Sequence, residues 1–236
     1  MSENQILAAL PRDERERLIN QMEPVRLNQG DILHEPGRPT RYVYFPNSGV
    51  VSMLGCLGDD CSIEVGTVGN EGMVGTSVFL GVNKMYNRAV VQVTGEAMRL
   101  RVKDFESATT PDGSFHRLLH LYTYTLLSQV SCSIVCNRFH ETEKRLARWL
   151  LRIRDHVGAD QFYLTQEFIS KMVGTPRPHI TTAAGKLQRE GLISYRRGDI
   201  TILSVKRLEK ASCSCYRTIK DYFDGSMKRY CPLFLI

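Results

Sequence analysis

The stretch from Leu164 to Leu203 constrains the fold more than any other part of the chain. Thr165 is suited to cap a helix, and Phe168, Ile169, Met172 and Val173 follow it at helical spacing. Gly174 interrupts that pattern with a residue free to take positive φ. Thr175 is expected to cap a second helix, with Pro176 at its first position, where a missing N–H removes no hydrogen bond. Ile180, Ala183, Ala184 and Leu187 make the apolar stripe of that helix and leave Arg177, Thr181, Thr182 and Lys186 facing outward. Leu192-Ile-Ser-Tyr195 and Ile200-Thr-Ile-Leu203 flank Arg196-Arg-Gly-Asp199, a hairpin with a basic tip. Two short helices, a tight turn and a hairpin predict a winged helix-turn-helix. Its second helix can enter a DNA major groove while the wing meets the backbone.

The chain before this stretch has two textures. Residues 3–22 read as helical, with Ile6, Leu7 and Leu10 on one face and Leu18, Ile19 and Met22 on another. From Val25 to about Val102, short apolar pieces such as Tyr42-Val-Tyr-Phe45 and Ala89-Val-Val-Gln-Val93 alternate with turns. Strands so punctuated argue a β-sandwich or roll. Residues 114–138 then read as one long helix, with Leu118, Leu119, Tyr122, Leu126, Val130 and Ser133 along a mainly apolar stripe. Its spacing of three and four residues suits a two-stranded coiled coil. In the next helix, Glu143 to Val157, Leu146, Leu150, Ile153 and Val157 are the expected core and Trp149 an expected domain contact. Arg145, Arg148, Arg152 and Arg154 are expected outside. A final helix is expected to bury Tyr216, Ile219, Tyr222 and Phe223, and an apolar tail closes at Ile236. The fold class is α+β, in two parts: residues 1–138, a β-roll with its long helix, and residues 139–236, the winged helix-turn-helix.

A net charge of +6 favours a polyanionic partner. Seven scattered cysteines in 236 residues do not form the framework of a small disulfide scaffold, and reduced thiols fit a cytoplasmic address. The apolar runs fall short of a membrane span, so no membrane association is expected. No Walker loop, Gly-x-Ser-x-Gly or His-Glu-x-x-His pattern points to an enzyme.

Thr165–Gly174, Ala183–Ile202 and Cys213-Ser-Cys-Tyr216 together resemble the C-terminal domain of the Crp/Fnr family of bacterial transcription regulators, and the likeness extends over nearly the whole chain. The resemblance implies a double-stranded β-roll of the cyclic-nucleotide-binding type, a dimerisation helix and a homodimer that reads an inverted repeat in double-stranded DNA. It also implies possible partnership with RNA polymerase and modulation by a small-molecule effector of unknown identity. Arg177 stands where the family places a base-reading arginine. Many relatives follow it with a carboxylate and a second arginine, but this chain has Pro178 and Thr182 there, so the family's best-known half-site is not expected. Thr181 and Thr182 are candidate base contacts, and Thr165, Thr175, His179, Arg196 and Arg197 candidate phosphate contacts.

Relatives that bind cyclic AMP hold the ribose with a Gly-Glu pair and the phosphate with a later arginine. Here Gly75 is followed by Thr76 where the Glu would be, and Arg88-Ala89 falls near the phosphate position. A cyclic-nucleotide-responsive regulator is therefore one alternative. A thiol- or metal-dependent redox sensor is another, drawing on Cys132 and Cys136, four apart on the long helix, or on Cys213-x-Cys215 with Cys231. Cys-x-Cys is a poor zinc signature, and the family's iron–sulfur sensors carry an N-terminal cysteine cluster that this chain lacks before Cys56. No metal and no cofactor are expected.

Overall fold

A computed structural model describes residues 3–57 and 61–230. The chain opens with α1 (Gln5–Ala8), capped by the Asn4 side chain on the N–H groups of Ile6 and Leu7, and α2 (Arg12–Ile19). The strands β1 (Glu23–Leu27), β2 (Ile32–His34), β3 (Tyr42–Pro46), β4 (Val50–Leu57) and β5 (Cys61–Val68) follow. A short α3 (Thr76–Phe79) precedes β6 (Arg88–Val93) and β7 (Gly95–Arg101). The strands pair in two sheets, β1-β7-β3 and β2-β6-β4-β5, which is the expected roll. Leu27, Val43, Phe45, Val51, Val91 and Leu100 are buried in its core. The roll turns at Gly30, Gly37 and Gly49, all with positive φ. At Gly49 a Cβ would lie 2.6 Å from the Val93 carbonyl oxygen, so only glycine fits.

After α4 (Val102–Ala108) comes α5 (Ser114–Phe139), then α6 (Thr142–Val157), β8 (Gln161–Tyr163), α7 (Gln166–Val173) and α8 (Arg177–Arg189). The chain continues through β9 (Ile193–Arg196), β10 (Asp199–Ile202), α9 (Val205–Ala211) and α10 (Cys215–Tyr230). It forms two compact units. The first holds residues up to Met53, Gly66–Ser128 and the segment from Tyr222; the second holds Leu54–Val65 and Gln129–Asp221. The expected single cut between residues 138 and 139 is not where the structure divides, because α5 and the β4–β5 hairpin each contribute to both units.

In the first unit, the face of α5 expected to meet a partner is already occupied. Leu118, Leu119, Tyr122 and Leu126 are buried within the protomer, and the Tyr122 hydroxyl donates to the Met73 carbonyl at 3.0 Å. A Cβ on Gly72 would collide with the Tyr122 ring. The predicted dimer stripe is therefore corrected at these residues, and at Ser133, which is buried in the second unit; Val130 is half-buried. The open face of α5 carries Tyr124, Leu127, Ile134, Val135 and Phe139, with Leu127 63% and Ile134 64% exposed.

In the second unit, Leu146, Leu150 and Ile153 of α6 are buried as expected, and Val157 is half-buried. Trp149 is buried, and its Nε1–H donates to Glu64 Oε1 at 2.9 Å. Of the four arginines expected outside, Arg145 and Arg152 are buried. The Arg145 guanidinium donates to the Val173 carbonyl, tying α6 to the end of α7. Arg152 lies 3.2 Å from His156 Nε2, and Arg154 pairs with Asp160 at 2.6 Å. Each of these arginines is thus engaged within the second unit. In α10, Tyr216, Ile219 and Phe223 are buried but Tyr222 is exposed. The tail beyond Tyr230, with Cys231, lies outside the described residues.

Candidate nucleic-acid interface

The helix pair forms for local reasons. Thr165 caps α7, its Oγ1 accepting from the Phe168 N–H at 3.2 Å. Gly174 ends α7 at φ 62°, a left-handed cap. The second helix begins one residue later than expected. Pro176 has ψ 140°, which is extended backbone, so it is the N-cap and Thr175 lies outside the helix. Pro178 occupies the first turn, where its missing N–H is no loss. Ile180, Ala183, Ala184 and Leu187 are buried, while Arg177, Pro178, His179, Thr181 and Thr182 are exposed. The Thr181 hydroxyl lies 3.0 Å from the Arg177 carbonyl and 2.8 Å from Gln166 Oε1, and the Thr182 hydroxyl donates to the Pro178 carbonyl. Both threonine oxygens keep lone pairs to accept from a base.

The wing is the β9–β10 hairpin, joined by β8 in the order β8-β10-β9. Arg197 at φ 52° and Gly198 at φ 98° form its two-residue turn, the pair of positive angles that a right-twisted hairpin needs. A Cβ on Gly198 would lie 2.4 Å from the Tyr163 ring. The wing is tied to the entrance of α7: the Leu164 N–H donates to the Gly198 carbonyl at 2.8 Å, and the Tyr195 hydroxyl to the Leu164 carbonyl at 2.7 Å. Burial beside Tyr163 pushes the Tyr195 phenol up to about 12, so it remains a neutral donor.

These ties create a groove of about 250 Å³ lined by Thr165, Gln166, Arg177, Tyr195, Arg197 and Gly198. Residues far apart in the chain thus bring one base-reading candidate and two phosphate-contact candidates to one concavity. Among the described residues, Arg177, Arg196 and Arg197 form no ion pair, so their positive field is open to solvent. His179 and Arg196 are exposed and Thr175 is half-buried, and none of the three lines the groove. Gln166 and Tyr195 were not singled out by sequence. The helix pattern marks Gln166 as the first residue after a cap, and only the wing register brings Tyr195 alongside.

The roll candidates are arranged differently. Gly75 takes φ 106° just before α3, and a Cβ there would meet Val43 Cγ1 at 2.9 Å. Thr76 and Ala89 are buried, and the Thr76 Oγ1 has no hydrogen-bond partner. Arg88 is engaged: its Nε donates to Glu35 Oε2 at 2.8 Å. Elsewhere in the roll, His34, Tyr44, Arg38 and Arg41 line a cavity of about 460 Å³.

The two cysteine pairs raised for the thiol- or metal-dependent alternative meet in one place: Cys136, His140, Cys213 and Cys215 converge in the second unit, with Cys132 packed against the three cysteines. Cys231, proposed from sequence as a third ligand, lies outside the described residues. His140 was the missed member. The Cys-x-x-x-His spacing at the end of the long helix is the signal that marks it.

Residues 144–211 match the Crp-like helix-turn-helix domain family. No curated protein matches the chain significantly. Among solved structures, the chain is similar to a transcriptional regulator of the Crp/Fnr family from Eubacterium rectale, at 20% identity and TM-score 0.70 over 89% of this chain and 99% of that one. It is similar to FixK2 from Bradyrhizobium japonicum at 16% identity and TM-score 0.70, over 82% and 98% of the two chains. It is also similar to CLP, a c-di-GMP-responsive global regulator of Xanthomonas campestris, at 17% identity and TM-score 0.68, over 82% and 100%. The winged unit is thus a Crp-like helix-turn-helix domain, and the chain carries it within the fold of the Crp/Fnr transcriptional regulators.

Proposed function

We propose that this DNA-binding regulator acts as a homodimer that reads an inverted repeat, with Arg177 contacting a base and Arg197 a phosphate. The observation that carries the reading is the groove between α7, α8 and the wing, whose arginines have no ion-pair partner among the described residues. An arginine at the start of a groove-bound helix can donate two hydrogen bonds to guanine O6 and N7. Thr181, Thr182, Pro178 and His179 share its exposed face, and Thr165, Thr175 and Arg196 flank it. The open face of α5 supports pairing: Tyr124, Leu127, Ser131 and Ile134 follow one another at spacings of three, four and three, as a coiled-coil seam requires. The reading places the protein in the cytoplasm, with RNA polymerase as a partner and no catalytic role; among the described residues no helix is long and apolar enough to cross a membrane.

Selection of duplexes from a random pool by the ligand-free protein tests this. The expected product is an inverted repeat with half-sites about one helical turn, roughly 34–36 Å, apart. Enrichment of single, unpaired sites overturns the dimer reading, and no enrichment overturns effector-independent recognition. In the second case modulation by a small molecule at the roll, near Gly75, Thr76, Arg88 and Ala89, becomes the reading to pursue.

A further inference from the structure

We propose that Cys136, His140, Cys213 and Cys215 are the four ligands of a tetrahedral Zn²⁺ site in the second unit. The His140 N–H donates to the Cys136 carbonyl at 3.1 Å, which continues the helical bonding of α5 and sets the two side chains on one face. Cys213 and Cys215 come from the turn between α9 and α10, and Cys215 is the first residue of α10. The Cys136 and Cys213 sulfurs are 3.5 Å apart, and Cys215 Sγ lies 3.6 Å from His140 Nδ1. A tetrahedral zinc with Zn–S of about 2.3 Å and Zn–N of about 2.0–2.1 Å sets S–S edges of roughly 3.8 Å and S–N edges of roughly 3.6 Å. All four donor atoms lie within 4.8 Å of one another, so no pair needs to close by more than about 1 Å on loading.

The chemistry of the donors selects the ion. Three thiolates and an imidazole suit a borderline-soft cation without geometric preference of its own, and four protein ligands leave no open position. A disulfide between Cys136 and Cys213, at about 2.05 Å, would leave Cys215 and His140 without a role. An iron–sulfur cluster interposes several atoms between its ligands and needs them further apart than this pocket holds them. Three thiolates around Zn²⁺ sum to one negative charge, and Arg148 and Arg145 lie close enough to act electrostatically on Cys136 and Cys213. The cysteines are nearly inaccessible, with Cys136 at 0% and Cys213 and Cys215 at 5% exposure. Loading sends the thiol protons to solvent and involves no change of oxidation state. The ion staples the end of α5 to the start of α10.

Metal analysis of the full chain, purified under reducing conditions without added chelator, is the test. One zinc per chain is expected. Chelator-stripped protein titrated with Co²⁺ is expected to develop the visible bands of tetrahedral cobalt together with thiolate charge-transfer absorption, saturating at one equivalent and bleached by Zn²⁺. Cys213→Ser, Cys215→Ser and His140→Ala should each lose or distort these bands, while Cys132→Ser and Cys56→Ser keep them. The wild-type titration stands even where a ligand variant fails to fold. Absence of zinc with no cobalt spectrum in fully reduced protein overturns the proposal, as does iron with sulfide. Bands that survive His140→Ala unchanged but vanish in Cys132→Ser overturn the ligand set.

Discussion

Two arginines, one in each unit, hold their charge in opposite ways. Arg177 projects from the first turn of α8 with no ion partner among the described residues, on a groove it shares with Arg197. Arg88, in the roll, is pinned by Glu35 at 2.8 Å. An open guanidinium attracts phosphate and can turn its fork toward a base edge; a paired one must first lose its carboxylate. The groove of the winged unit therefore presents an open arginine, whereas the roll holds Arg88 against a carboxylate. The roll also holds the His34 imidazole away from water, and burial alone keeps it down to about 4.

That imidazole gives the largest expected effect. The unfolded chain takes a proton on His34 near pH 6.5 and the folded chain near 4, so acid favours unfolding between them. The stabilisation is complete above pH 6.5 and is lost as the pH falls toward 4; it amounts to about 3 kcal/mol at most. Denaturant unfolding as a function of pH should show this loss, and His34→Gln should flatten it. An unchanged slope in the variant would mean that burial of His34 is not what makes the roll acid-sensitive.

Next comes Arg177→Ala, expected to cost about 1–3 kcal/mol on the selected site and to relax preference at one base position. If competition binding shows the preference intact, the open arginine is not the reader. Arg197→Ala should act more mildly, weakening all sequences alike and lowering the slope of log affinity against log salt by about 1. Glu35→Gln sharpens the comparison from the other side. The pair is partly exposed, so stability should change by less than about 1 kcal/mol. With the Glu35 charge removed, calorimetric affinity for cyclic AMP is expected to rise above that of the native chain. Equal binding by both proteins would erase the contrast between the two arginines.

The helix-turn-helix was legible because its signals are local. A cap at Thr165, a break at Gly174 and one apolar stripe on α8 each depend on neighbours a few residues away. The start of α8 slipped by one residue because Pro suits both the cap and the first turn. β8, three residues long, carries too little alternation to be read. The face of α5 was misassigned for a different reason. Both the Leu118–Leu126 stripe and the Tyr124–Ile134 stripe are apolar, and periodicity cannot say which one the roll covers. The cysteine–histidine cluster joins positions 77 residues apart, a distance over which spacing conveys nothing.

The β4–β5 hairpin, shared between the units, has a consequence for how the chain is made. Glu64 leaves the ribosome 85 residues ahead of Trp149, the indole it holds. Ile63, beside which Gly174 has no room for a side chain, is made earlier still. At a synthesis rate of about 5–20 residues per second, Glu64 waits roughly 4–17 s for its partner. During that interval one arm of the nascent roll is unfinished, and completing it is a late event in translation. A winged helix-turn-helix severed at residue 139 would emerge without that arm and would be born with Trp149 uncovered.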